Sequence, residues 1–388
     1  MFIKRLTLIS FLSYFVLSGM LAPIGVLLSP MALLFDIPIP EMARVFGWLT
    51  IGNFIGAVVA LVIFDYVSFR RLMLCLYLTI MVAVILLSFQ ESLVSLSGLL
   101  GIIGGCCGIG LAGGALLISR LYEADRRASM LVITDGSFSV AGFIMAGLTG
   151  WALAMEIHWS LSYLLVALVA FIIFVIALTA RFPTLEQVDP AAPSIRWPLT
   201  VWLAAGGLYF YTLGQTSLLI WLPVYGVNNL GISQSESGSI VSQYWAGMFA
   251  AQIFIAWVLS FVGVRKIIVG AVVSTFALAL PFLAIKEGVW FPSMALLWGF
   301  ANMGLFKCLL SFATEQMNPV SSRLISVLLL AATLGTASSP WISSWVVEWQ
   351  SSKGALYFAC SCLFIVLLLA ISAMGLETRS GRLRDNMG

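Results

Sequence analysis

The chain has 388 residues, of which 61% are hydrophobic and 9% charged; its formal net charge is +3 and its mean hydropathy +1.08. A water-soluble domain needs far more charge on its surface, so the composition excludes a soluble enzyme or binding module. The slight basic excess implies no nucleic acid, because its information lies in where the Lys and Arg fall.

At roughly 20 apolar residues per crossing, helices are expected over 6–34, 42–64, 72–89, 93–119, 129–154 and 159–180, then over 199–224, 238–261, 267–285, 290–312, 324–346 and 354–375. Each segment must be helical, since an unpaired backbone amide is too costly in hydrocarbon and the alternating pattern of a barrel strand is absent. The expected fold is therefore an all-α membrane protein of twelve transmembrane helices. The apolar run after Lys4 and Arg5 continues to Leu34, too long for an ordinary signal-peptide core, so it is read as a retained first helix.

Four hydrophilic runs interrupt the apolar pattern: Asp65–Arg71, Arg120–Arg127, Val262–Lys266 and Thr314–Arg323. The first and third align with an offset of 195, which superposes Arg70 and Arg71 on Arg265 and Lys266, Tyr14 on Tyr209 and Gly52 on Gly247. A constant offset of about half the chain predicts two sequential repeats in the same orientation. Residues 1–180 and 199–388 are the expected six-helix bundles, joined by a polar linker over 181–198 whose Pro183, Pro190, Pro193 and Pro198 disfavour a continuous helix.

With a cytoplasmic N-terminus, Lys4, Arg5, Arg70, Arg71, Arg120, Arg265 and Lys266 join most other basic residues on the inner side, leaving Arg44, Lys286 and Lys353 outside. The positive-inside rule thus places both termini in the cytoplasm. The six cysteines fall within expected helices as small apolar residues, with no metal-binding spacing. No HExxH, phosphate-binding glycine loop or cluster of His and carboxylates is present, and His158 is the one histidine. Neither an enzyme nor a cofactor or metal site is expected.

Two bundles joined by a cytoplasmic strap, with Asp65, Arg70 and Arg71 between the second and third segments, resemble the major facilitator superfamily; the usual glycine of that acidic-then-basic motif is Ser68 here. Ile9–Tyr14, Leu117-Ile118 with Tyr122-Glu123, Thr134-Asp135 with Phe138-Ser139, Leu213-Gly214-Gln215 and Trp221-Leu222-Pro223 are similar to the TsgA-type transporters of the fucose-permease-related branch. The resemblance implies a secondary transporter of a bacterial inner membrane, acting as a monomer by alternating access on a small-molecule substrate. It also implies that the first, fourth, seventh and tenth segments line a central cavity.

On the first segment Ser10, Tyr14 and Ser18 share a face; on the seventh, Tyr211 and Gln215 do. With Asn302 these hydrogen-bonding groups suit a sugar-like or other hydroxylated solute, although bonds between helices would satisfy them equally. Lys307, in the tenth segment, needs water, an acidic partner or an anionic substrate, and keeps an organic anion as the alternative cargo. Asp135, six residues into the fifth expected segment, is the candidate for proton coupling or a structural anchor to a nearby arginine. Relatives of the fucose-permease branch carry cavity acids on the first and fourth segments, and this sequence has none in either interior, so coupling to protons stays one of several alternatives. Asp65, Arg70, Arg71, Glu123 and Arg127 are expected to form a cytoplasmic gate of exchangeable ion pairs. A channel or non-transporting accessory protein is the remaining alternative.

Overall fold

A computed structural model describes residues 2–182, 197–258, 261–285, 287–317 and 322–385. Thirteen α-helices and one 3-10 turn, Gly288–Trp290, make up the regular structure of these residues. The helices are α1 (Phe2–Leu21), α2 (Ile24–Leu34), α3 (Ile39–Tyr66), α4 (Phe69–Leu87), α5 (Leu93–Leu121), α6 (Ala124–Ala154) and α7 (Leu161–Thr179). They continue as α8 (Leu199–Leu230), α9 (Gln234–Val258), α10 (Val264–Ala284), α11 (Phe291–Glu315), α12 (Ser322–Gln350) and α13 (Ser352–Asp385). A helix lies at every expected place. Nine of the described helices are long and apolar enough to cross a membrane; α8, with its Tyr, Trp, Gln and Thr, falls below that hydropathy.

The expected single helix over 6–34 is two helices. Pro23 lacks a backbone N–H and its ring crowds the preceding turn, so the run breaks between Leu21 and Ile24. The break turns α2 onto α8, where a Cβ on Gly25 would collide with the carbonyl oxygens of Leu219 and Ile220. At the start of α9, Ser233 and Glu236 form a capping box: the Glu236 amide donates to Ser233 Oγ (3.3 Å) and the Ser233 amide to Glu236 Oε2 (3.2 Å). The Ser233 hydroxyl, followed by its amide, holds the exposed Glu236 carboxyl below the ordinary carboxylate value.

The offset of 195 reappears in the packing. A Cβ on Gly52 of α3 would overlap the Gly101 carbonyl of α5, and one on Gly104 the Leu49 carbonyl. Shifted by 195, Gly247 of α9 meets the Leu296 carbonyl of α11, and Gly299 the Tyr244 carbonyl. Both crossings thus bring backbone against backbone where only glycine fits. Arg70 and Arg265 are related by the same shift. Arg70 donates to the Ala177 carbonyl (3.3 Å) and the Leu178 carbonyl at the end of α7, whereas Arg265 pairs with Glu377 near the end of α13.

These contacts define a basic end of the bundle, where the hydroxyls of Thr7 and Tyr122 also meet (2.9 Å). The opposite end holds the Arg44–Glu348 ion pair (2.7 Å) between α3 and α12. There α1–α7 and α8–α13 are packed tightly. Trp48 meets Trp341 edge-on, Gln234 donates to the Val26 carbonyl (2.8 Å), and Gly150 abuts Gly238. One apolar cluster correspondingly joins Val26 and Ala146 to Leu222, Tyr244 and Trp298. The polar linker lies, at 183–196, outside the described residues.

Candidate functional site

Toward the basic end the two sets of helices enclose a cavity of about 740 Å³, walled by α1, α3, α5 and α6 on one side and α8, α11 and α12 on the other. Its wall is mainly apolar. Among its polar groups, Tyr14, Asn53 and Asp135 lie deep, the exposed Asp65 and Arg120 mark the mouth, and α8 and α12 add the hydroxyls of Thr212, Ser326, Thr333 and Thr336. At 1.5 Å per residue, Tyr14 is about 18 Å from the start of α1, Asp135 about 16 Å from the start of α6 and Asn53 about 20 Å from the end of α3. Three helices therefore bring one polar group each to similar depth.

Asp135 joins the two sides of the cavity. Lys307 Nζ lies 2.9 Å from Asp135 Oδ2, an ion pair between α11 and α6. The ammonium nitrogen is buried, with the Asp135 carboxylate as its ion-pair partner. From α9, Gln252 Nε2 donates to Asp135 Oδ2 (3.3 Å) and to Ser139 Oγ (3.4 Å). A lysine at the centre of a membrane helix costs roughly 2.5–3.5 kcal/mol on insertion scales. Placing the Asp135 carboxylate of the cavity wall against it offsets that cost.

Tyr211 and Asn302 are brought together, but away from the cavity wall. The Tyr211 hydroxyl donates to the Asn302 carbonyl oxygen (3.2 Å), and Asn302 Nδ2 donates to the Tyr244 hydroxyl (2.6 Å), all three residues being buried. This chain fastens α8, α9 and α11. Gln215, half-buried, donates to Met248 Sδ (3.2 Å). On α1, Ser10 bonds the Leu6 carbonyl (3.3 Å) and turns its hydroxyl back on its own helix.

The expected gate residues are dispersed. Asp65 lies at the cavity mouth, Arg70 reaches the end of α7, and Arg71 and Glu123 are exposed; the side chain of Arg127 lies outside the described residues. Arg265 instead collects Glu377 and Glu315 (3.8 Å), and Gln316 donates to Glu377 (3.0 Å). Sequence reasoning passed over Gln252, Asn53 and the Arg44–Glu348 pair. The first two are amides in apolar helices, the same signal that drew attention to Gln215. For the Arg44–Glu348 pair the sequence carries no signal, because its members are 304 residues apart.

The sequence profile of the Major Facilitator Superfamily matches residues 6–320. Among curated proteins, the chain is similar to Protein TsgA of Salmonella arizonae, with 26% identity over 380 residues, covering 97% of this chain and 96% of that protein. It is similar to the TsgA proteins of Salmonella newport and Salmonella typhi at 27% identity with the same coverage.

Proposed function

The chain belongs to the Major Facilitator Superfamily, a family of membrane transporters, and from that premise we propose that it moves a small polar solute across a bacterial inner membrane by alternating access. The moving parts are two six-helix halves, residues 1–180 and 199–388, with α1 and α2 together forming the first crossing. The repeated glycine crossings at an offset of 195 support the duplication. The basic end faces the cytoplasm, and the protein acts as a monomer.

The observation that carries this reading is the cavity itself, which reaches from Tyr14 and Asp135 to Asp65 and Arg120 at the basic end while the opposite end is packed shut. That is the geometry of a transporter open to one side. The Asp135–Lys307 pair spans the two halves at the cavity, so any rocking of the halves must strain or remake it. A proton or a charged group on the solute that competes for either partner would therefore bias the conformation. Asp135 is the proton-coupling candidate in this scheme, and Tyr14 and Lys307 are solute contacts; Tyr211 and Asn302 brace α11, which carries Lys307, and Gln215 ties α8 to α9. The Asp65 carboxylate and the arginines around the mouth serve as the cytoplasmic gate when the cavity closes.

A second reading, an organic anion as cargo, is favoured by the Lys307 ammonium, whose buried nitrogen has N–H donors to spare beside Asp135. Uptake into proteoliposomes of a panel of labelled sugars, polyols and organic acids tests both. Saturable uptake of a neutral solute supports the first, saturable uptake of an acid that is lost in Lys307→Gln supports the second, and no uptake of any member refutes both.

A further inference from the structure

Asn53 sits at the midpoint of α3, where α5 crosses: a Cβ on Gly104 would lie 2.9 Å from the Asn53 backbone nitrogen, and one on Gly108 would collide with its backbone carbonyl oxygen. The residue is only 3% exposed, yet it lines the cavity. Its side-chain Oδ1 is buried without a hydrogen-bond partner, and among the described residues nothing accepts from its Nδ2. Both ends of a buried amide are thus unspent. Native structures rarely leave such groups bare, because each forgoes the bonds it made to water.

The backbone crossing does not require an amide at this position. The offset of 195 that superposes the two glycine crossings places Met248 of α9 where Asn53 stands in α3. Met248 is apolar and its sulfur is already occupied by Gln215. The same backbone arrangement is therefore built once with a thioether and once with an amide, and only the amide lines the cavity, with its Oδ1 unpartnered. Because α5 is wedged against the backbone on both sides of Asn53, the side chain is held by a rigid element, which is the placement a binding group needs.

We infer that Asn53 is a solute-binding residue that reads a neutral group carrying both a donor and an acceptor, a hydroxyl or a carboxamide. The inference rests on the transporter reading above and adds a specificity-determining residue to it. Asp135, which lines the same cavity, is paired with Lys307, so an uncharged polar group meets the amide without a lone charge on that wall.

The test compares wild type with Asn53→Leu, a change of similar size. In detergent and without additive, Asn53→Leu is expected to melt at the same temperature as wild type or higher, since an unspent polar group is replaced by an apolar one; a clearly lower melting temperature would show that the amide is bonded within the fold and overturn the inference. The probes are D-glucose, mannitol, glycerol, acetamide, lactate and gluconate at millimolar concentration, read by thermal stabilisation and by flux in proteoliposomes. A neutral probe is expected to stabilise wild type and to bind Asn53→Leu about tenfold more weakly, the loss from one or two hydrogen bonds. Equal affinity of the two proteins for a transported probe, or stabilisation by the carboxylates alone, overturns the role of Asn53 and leaves transport standing. No flux of any probe through wild type overturns the transporter reading and this inference with it.

Discussion

Lys307 Nζ stands 2.9 Å from Asp135 Oδ2 and ties α11 to α6 across the cavity. Each partner explains the other. Without Asp135, the ammonium would be a lone cation in an apolar helix; without Lys307, the carboxylate would keep the Gln252 amide as its hydrogen-bond donor among the described residues. Asp135→Asn and Lys307→Gln should each lower the melting temperature, by about 1–2 kcal/mol of stability. That is below the roughly 3–5 kcal/mol of a fully buried pair, because these side chains are 36% and 26% exposed and water screens them. The double neutral variant should recover most of the loss. Additive losses in the double variant would show that the two residues are not coupled.

The same pair separates the transport readings. If Asp135 carries a coupling proton, Asp135→Asn should still exchange solute across the membrane but no longer accumulate it uphill in a pH gradient. Retained gradient-driven accumulation contradicts that role.

At the opposite end, Arg44–Glu348 joins α3 to α12 beside the Trp48–Trp341 contact. Arg44→Glu places two carboxylates together and should shift the population toward the conformation open at that end. An exposed pair contributes about 1 kcal/mol at most, so the shift is about fivefold or less. Polar maleimide labelling of a cysteine introduced at Ala57, on the cavity wall, should slow in Arg44→Glu and recover in the Arg44→Glu, Glu348→Arg double variant. Labelling indifferent to Arg44→Glu would mean that the pair does not influence closure.

The glycine crossings give a structural prediction with an internal control. Ala at Gly52, Gly104, Gly247 or Gly299 drives a Cβ into a backbone carbonyl that cannot move aside, and each should cost roughly 1–3 kcal/mol. Gly98 and Gly270 have open space around them, so Ala there should be neutral or stabilise by about 0.4–1 kcal/mol. Melting temperatures of the six variants check this, and a loss at Gly98 equal to that at Gly52 would contradict the close approach.

Glu236 gives the pH dependence a sign. Its carboxyl is held below the ordinary value by Ser233, so its contribution is present above the unfolded carboxylate pKa and is lost as pH falls through the lower folded value. Glu236→Gln should flatten the acid side of the stability profile, and Ser233→Ala should cost about 1 kcal/mol near neutral pH as a lost cap. An unchanged acid limb in Glu236→Gln would show that the capping box carries no such linkage.

The order of the apolar segments was legible because lipid imposes one backbone solution on every such run. Local chemistry that overrides hydropathy was harder to read. Pro23 divides the first segment, and the Ser233–Glu236 box starts α9 at Gln234, four residues before the expected boundary. Asp135 and Lys307 were visible singly, as charges in apolar helices. Their pairing was not, since it depends on the register of two helices far apart in sequence. Tyr211 and Asn302 show the reverse case: polar groups on the expected faces whose bonds are made between helices. Asn53 went unnoticed because its neighbours Gly52 and Gly56 mark α3 as a packing helix, and only the cavity shows that the amide between them is unspent.

The most direct test of transport is counterflow in proteoliposomes of purified protein, preloaded in turn with unlabelled sugars, polyols, amides and organic acids and offered the same solute in labelled form. Transient, saturable accumulation of the label is expected for one class of polar solute, weakened by changes at Asp135 or Lys307. Label entering no faster than into protein-free liposomes, for every solute and with protein that still melts cooperatively, would contradict it.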